Sequence, residues 1–154
     1  MPCIEQALCT LLKTFDAVTA IVGTGANARI RPFRLDQGDI DDNGGVRDAI
    51  VIRPAREEHL NDLQGRGGLV RARMQIIAIS EIPLSARALA EAIRTNGQDP
   101  GTGLAGHEGT YDGVEIQSAM LDSADFDEAE YGDDSDRSFF AVISNYIVEY
   151  TETR

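Results

Sequence analysis

Two glycine-rich stretches have a spacing that can cradle phosphate. Gly101-Thr-Gly103-Leu-Ala-Gly106 fits G-x-G-x-x-G in full, and Gly23-Thr-Gly25-Ala-Asn-Ala28 fits it in part. Dinucleotide binding needs those glycines between a strand and a helix, so that the helix N-terminus faces the pyrophosphate. Here the first stretch follows a predicted helix and runs into His-Glu-Gly-Thr-Tyr-Asp-Gly (107–113), which cannot sustain one. The second leads into an extended segment, so both read as connections. Asp39-Ile-Asp41-Asp-Asn43-Gly44 matches the first half of a calcium loop, but the twelfth position, normally a bidentate Glu, is Ile50. Neither flank has a helical pattern. A solvated turn is expected there, with weak calcium binding as the alternative.

Nucleophile and general-base candidates are thin. His59 and His107 each lie in a predicted polar loop, Lys13 is the sole lysine, and no H-E-x-x-H, G-x-S-x-G or P-loop lysine occurs. Cys3 and Cys9 are six apart, with no companion ligand at zinc spacing, so free thiols are expected. Carboxylates are so numerous that a pair within catalytic distance would carry no specificity. The sequence therefore predicts a protein that is not an enzyme, with no catalytic residues, metal site or cofactor.

Charge is more informative. The 154 residues hold 26 acidic and 14 basic side chains, a net charge of −12. Residues 1–94 balance at 12 of each, so residues 95–154 carry the whole excess, 14 acids against Arg137 and Arg154. A chain of this kind repels phosphate backbones, which argues against tight non-specific nucleic-acid binding. Residues 29–73, with nine Arg, could still form a local basic surface. The densest acid is Asp122, Asp125, Asp127, Glu128, Glu130, Asp133, Asp134 and Asp136, with no base among them. It reads either as a solvated hairpin loop or as an interaction surface, facing an Arg-rich neighbour or forming a wall that DNA slides past. Arg71 and Arg73 share one face of a predicted strand, and Arg53 lies on its predicted partner. These too read either as a solvated face or as a contact with the acidic loop of a neighbouring copy. A neutral Arg-bearing part and a strongly acidic part are what a head-to-tail ring needs. The candidate subunit-interface or lumen residues are thus Arg53, Arg71, Arg73, Asp125, Asp127, Glu128, Glu130, Asp133, Asp134 and Asp136.

The elements that must position these residues follow from periodicity. The length suits one domain, 1–154, able to bury a core without staples. Ile4, Leu8, Leu11, Leu12 and Phe15 form one helical stripe, and a shorter apolar turn follows through Val18, Ile21 and Val22. Residues 29–33 are extended, with Pro32 favouring an edge. Strands are expected at 49–53, 69–80, 113–122 and 138–151, the last of them central in the sheet. In 69–80, Val70, Ala72, Met74, Ile76 and Ala78 alternate with Arg71, Arg73 and Gln75. In 113–122, Val114, Ile116, Ser118 and Met120 share a face. A second helix runs from Ser85, its cap, to Asn96-Gly97, its left-handed stop. Long loops fall at about 34–48, 55–68, 97–112 and 123–137. The order predicts an α+β fold, an antiparallel or mixed sheet of four to five strands with two main helices packed on it. Apolar runs are far shorter than the roughly 20 residues of a bilayer span. The N-terminus has no basic region followed by an apolar one, so synthesis and retention in a cytosol are expected, unless a larger particle carries the protein out.

This layout resembles a known family. Its features are the first helix ending in Val-Thr-Ala-Ile-Val-Gly (18–23), the basic extended Arg-Ile-Arg-Pro (29–32) and the apolar strand Met-Gln-Ile-Ile-Ala-Ile (74–79). After these come the Ser-Ala-Arg-Ala-Leu-Ala-Glu-Ala-Ile-Arg helix (85–94), Gly-Thr-Tyr-Asp-Gly-Val-Glu-Ile (109–116) and a long terminal strand. Nearly the whole chain resembles the tail-completion or tail-terminator proteins of long-tailed (siphophage-type) bacteriophages and gene transfer agents. The resemblance rests on element order and loose signatures. It implies a structural virion subunit, made in the bacterial host cytoplasm and assembling as a homo-oligomeric ring, a hexamer, at the head–tail junction. The ring would cap the tail-tube protein and join it to the head–tail connector or stopper protein. DNA would pass through the lumen only transiently, and no membrane is involved. The alternatives are another connector component, a stopper or adaptor, or a soluble α+β enzyme or ligand-binding domain.

Overall fold

The computed structural model describes residues 3–35, 47–60, 68–98, 103–130 and 138–152. The chain begins with α1 (Ile4–Leu12), α2 (Asp16–Val22), a 3-10 turn (Gly25–Asn27) and β1 (Ile30–Pro32). It continues through β2 (Ala49–Leu60), β3 (Leu69–Ser80), α3 (Pro83–Thr95), β4 (Gly109–Tyr111), β5 (Val114–Glu130) and β6 (Ser138–Glu152). The strands form one sheet in the order β1-β2-β3-β6-β5-β4. Only β1 and β2 run parallel; every other pairing is antiparallel. The α+β class with a mixed sheet is as expected, but among the described residues there are six strands rather than four to five, and three α-helices.

The predicted first helix is two. It stops at Leu12, where the Thr14 hydroxyl donates to the Leu11 carbonyl at 2.6 Å, and Phe15 turns extended (φ −85°, ψ 111°) to begin α2. Phe15 stays buried with Leu8, Leu11 and Leu12, so the stripe survives the corner. α3 begins at Pro83, two residues before the expected Ser85 cap. A proline preset at helical φ, with no N–H to satisfy, starts a helix unaided. Its end is as expected, with Asn96 left-handed at φ 51° and Gly97 at φ 68°. The Asn96 side-chain oxygen also accepts from the Ala17 amide at 3.2 Å, which ties α2 to α3.

Three strands differ from expectation. β2 continues past Pro54 to Leu60, so residues 55–60 are strand rather than loop. Beyond β1, which pairs only with 50–52, the outer side of β2 has no neighbouring strand among the described residues and so tolerates proline, and a bulge lies between Pro54 and Arg56. β5 continues through residues 122–130, where Asp125, Phe126, Asp127, Glu128 and Ala129 pair with the apolar β6 residues Ile143, Val142, Ala141, Phe140 and Phe139. Strand formation depends on both partners, and here β6 supplies the β-formers. Bulges at Ile116/Ser118 and Leu121/Ser123 also break the expected face. Ala119 turns inward at 0% exposure while Met120 turns out at 61%. β4 lies inside the expected loop 97–112, paired to β5 through Asp112-Gly113, both at positive φ (48° and 81°). That is the turn geometry a two-residue Asp-Gly hairpin favours.

The helices cover one face of the sheet. Ile4, Leu8, Leu11, Val18, Leu89 and Ile93 pack there on Ile50, Ile52, Met74, Ile76, Val142, Tyr146 and Tyr150, forming the main core. On the opposite face a smaller cluster of Val51, Ile77, Ile79 and Ala141 is packed by Leu35, Phe139 and Ile143. β6 sits between β3 and β5, the central place its pattern predicted.

Candidate functional site

The described part of the 101–106 motif, Gly103 to Gly106, serves packing. A Cβ at Gly103 would lie 2.2 Å from the Arg94 carbonyl oxygen, so the chain after α3 can fold against that helix end only with glycine there. The Leu104 amide then bonds the Ile93 carbonyl at 2.9 Å, and the Gly106 amide bonds the Ala119 carbonyl at 2.7 Å. These contacts lie between α3 and β4, not between a strand and a helix N-terminus. The calcium-like stretch 39–44 lies outside the described residues. Among the described residues, no three His, Cys, Asp or Glu side chains gather where they could hold a metal ion.

The titratable groups that the sequence singles out are held by the fold. The His107 ring stands 2.9 Å from the Tyr111 hydroxyl and edge-on to Phe15, at 6.0 Å between centroids. Burial lowers its pKa, opposed by Glu108. His59 lies on exposed β2, 3.9 Å from Glu57. Burial pushes the Cys9 thiol up to about 12 and also raises the Tyr146 phenol above its ordinary value, so both are neutral at pH 7. Cys3 is exposed. No described helix is long and apolar enough to cross a membrane.

Arg53, Arg71, Arg73, Asp125 and Asp127 lie on the sheet face that carries no helices. Arg71 donates to one Glu149 carboxylate oxygen through Nε at 3.0 Å and Nη2 at 2.8 Å. Arg73 reaches across β6 to pair with Asp122 of β5. The arginine face and part of the acidic run therefore meet within one chain. Arg53 is exposed, in register with Gln75, and has no carboxylate partner among the described residues. Asp125 and Asp127 are exposed on β5, opposite Ile143 and Ala141. Glu128 and Glu130 lie further along the same strand, opposite Phe140 and Ser138. Asp133, Asp134 and Asp136 lie outside the described residues.

Two surface features were missed by sequence reasoning. A cleft of about 360 Å³ opens between α1 and β1, lined by Gln6, Cys9, Lys13, Arg31 and Arg34 among others. Beside it, a trough of about 320 Å³ crosses the open face over Val51, Ile77, Ile79 and Ile143. Arg34 and Arg53 line it on the β1–β2 side, and Asp127 on the β5 side. Phe33 borders the trough at 54% exposure. It is held at φ 70° in a three-residue turn, in which the Arg34 amide bonds the Pro32 carbonyl at 2.8 Å. A bulky residue rarely occupies that conformation, which costs on the order of 1–3 kcal/mol. Pro32 marks a strand end in the sequence, but nothing there announces a left-handed phenylalanine.

No family model and no curated protein sequence matches the chain. Its fold matches a chain in the solved structure "Virion of native gene transfer agent (GTA) particle", with a TM-score of 0.62 over 95% of this chain and 94% of that one, at 15% sequence identity. The two chains share one fold from end to end.

Proposed function

We propose that this protein is a structural component of a phage-like particle, a ring-forming tail-completion or tail-terminator subunit. The carrying observation is the fold shared over 95% of its length with a chain of a gene transfer agent virion. The element order that resembles tail terminators supports the reading as well.

In this reading, copies assemble at the head–tail junction, cap the tail tube, and join it to the connector while DNA passes through the lumen. Asp125, Asp127, Glu128, Glu130, Asp133, Asp134 and Asp136, with Arg53, Arg71 and Arg73, are the candidates for subunit contacts or lumen lining. A carboxylate-rich wall repels the phosphate backbone, so DNA slides past it without being held.

Native mass spectrometry of the purified chain, alone and with tail-tube protein, tests the reading. A ring of six that binds the end of the tube is expected. A twelvefold ring would move the protein to another connector position, as a stopper or adaptor. A strict monomer under both conditions would overturn the ring altogether.

A further inference from the structure

Arg31, Val51, Ile77, Ile143 and Asp125 stand in register across β1, β2, β3, β6 and β5. One row of the sheet therefore has a cation at one edge, three aliphatic residues between, and a carboxylate at the other edge. The trough lies over the aliphatic part of this row, Val51, Ile77 and Ile143. Arg34 and Arg53 line its β1–β2 side and Asp127 its β5 side. Neither of these arginines meets a carboxylate among the described residues.

Among the described residues both edges are also open at this level. β1 is the outermost strand on its side. On the other side β4 pairs only with Val114, Glu115 and Ile116, so the outer backbone of β5 has no described strand beside it from there to Glu130. The unpaired groups of the β5 edge are a template for another chain, whereas on the three-residue β1 edge Pro32 has no N–H to offer and the contact falls mainly to side chains.

We propose that the β1 edge of one copy receives the β5 edge of a second copy. Asp125 and Asp127 of the second copy face Arg34 and Arg53 of the first on a common open face. Phe33, exposed at the edge of the trough, packs on the incoming strand. Two observations select another copy of this chain over a nucleic acid as the occupant. The complementary acidic edge is present on the same molecule, and a chain of net charge −12 repels phosphate. Because the two surfaces differ, the contact is head-to-tail and propagates until it closes, with the apolar trough running on from copy to copy. The inference rests on the ring reading and gives that ring its contact faces.

Two variants test it, Arg34→Glu/Arg53→Glu and Asp125→Arg/Asp127→Arg. All four positions are exposed, and circular dichroism melts like the wild type's confirm folding. Each variant alone faces like charge with like, so each should run as a monomer where the wild type forms rings. An equimolar mixture restores opposite charges at every junction. Rings should return, with equal numbers of the two variants in native mass spectra. Rings formed by each variant alone as readily as by the wild type would overturn these contact faces while leaving the ring intact. Folded variants that stay monomeric when mixed would overturn the faces too. A monomeric wild type, alone and with tail-tube protein, would instead overturn the ring reading itself.

Discussion

Ile76 and Ile77 are chain neighbours in β3, both buried, and they belong to different structures. Ile76, at 0% exposure, faces the helices and joins the large core that holds α1, α2 and α3 on the sheet. Ile77, at 6%, faces the other way, into a cluster of four buried residues bordered by Arg34, Arg53 and Asp127. The covered face is completed by the chain's own helices. The open face buries little apolar surface and then gives way to charge. Hydrophobic stabilisation scales with the area removed from water, so one face carries the fold and the other is available to a partner.

Alanine substitution should separate the two faces most sharply. Ile76→Ala removes side-chain volume inside the main core and should destabilise the protein by about 2–5 kcal/mol. Ile77→Ala, beside an open trough where neighbours can relax, should cost less than half as much. Chemical denaturation of both variants checks this, and equal losses would erase the distinction between the faces.

Mild acid should reach the covered side through His107. Burial lowers its folded-state pKa below the unfolded value of about 6.5, so the unfolded chain takes up the proton first. The stability tied to its neutral ring is complete above that value and is lost as pH falls toward the lowered folded pKa. Thermal midpoints of wild type and His107→Gln between pH 7 and pH 5 should therefore converge as pH falls. Parallel curves would show that folding leaves the His107 pKa unshifted.

The smallest effect belongs to the open face. Arg71–Glu149 is well formed, but its side chains keep 47% and 30% exposure, so a double-mutant cycle should give a coupling below about 1 kcal/mol that shrinks further in salt. A coupling well above that would mean the open face contributes to the fold as the core does.

Legibility followed the range of the interactions. α1, β3 and the central β6 were readable because apolar residues recur with the period of the element itself. The left-handed end of α3 was readable from Asn96-Gly97, which needs no distant partner. β4 was legible too, in Asp112-Gly113 between Tyr111 and Val114, a hairpin signal overshadowed by the surrounding glycine-rich stretch. The outer half of β5 was not legible. Eight acids in fifteen residues, 122–136, read as loop, and only pairing with Phe139, Ala141 and Ile143 makes the first nine of those residues strand. For the candidate site, the alternation placed Arg71 and Arg73 on one face. It could not show that they would meet Glu149 and Asp122 of their own chain.

Composition and local pattern alone settle the α+β class, the helical stripe of Ile4 to Phe15, the left-handed end of α3, the apolar face of β3 and the concentration of negative charge after residue 94. These properties depend on residues a few positions apart, whose geometry the period of a helix or strand already sets. The six-strand order, the bulges that turn Met120 outward, the left-handed Phe33 and the row from Arg31 to Asp125 came only from the tertiary structure. Each depends on which distant segments pair and in what register, and a one-residue shift in pairing exchanges the two faces of a strand.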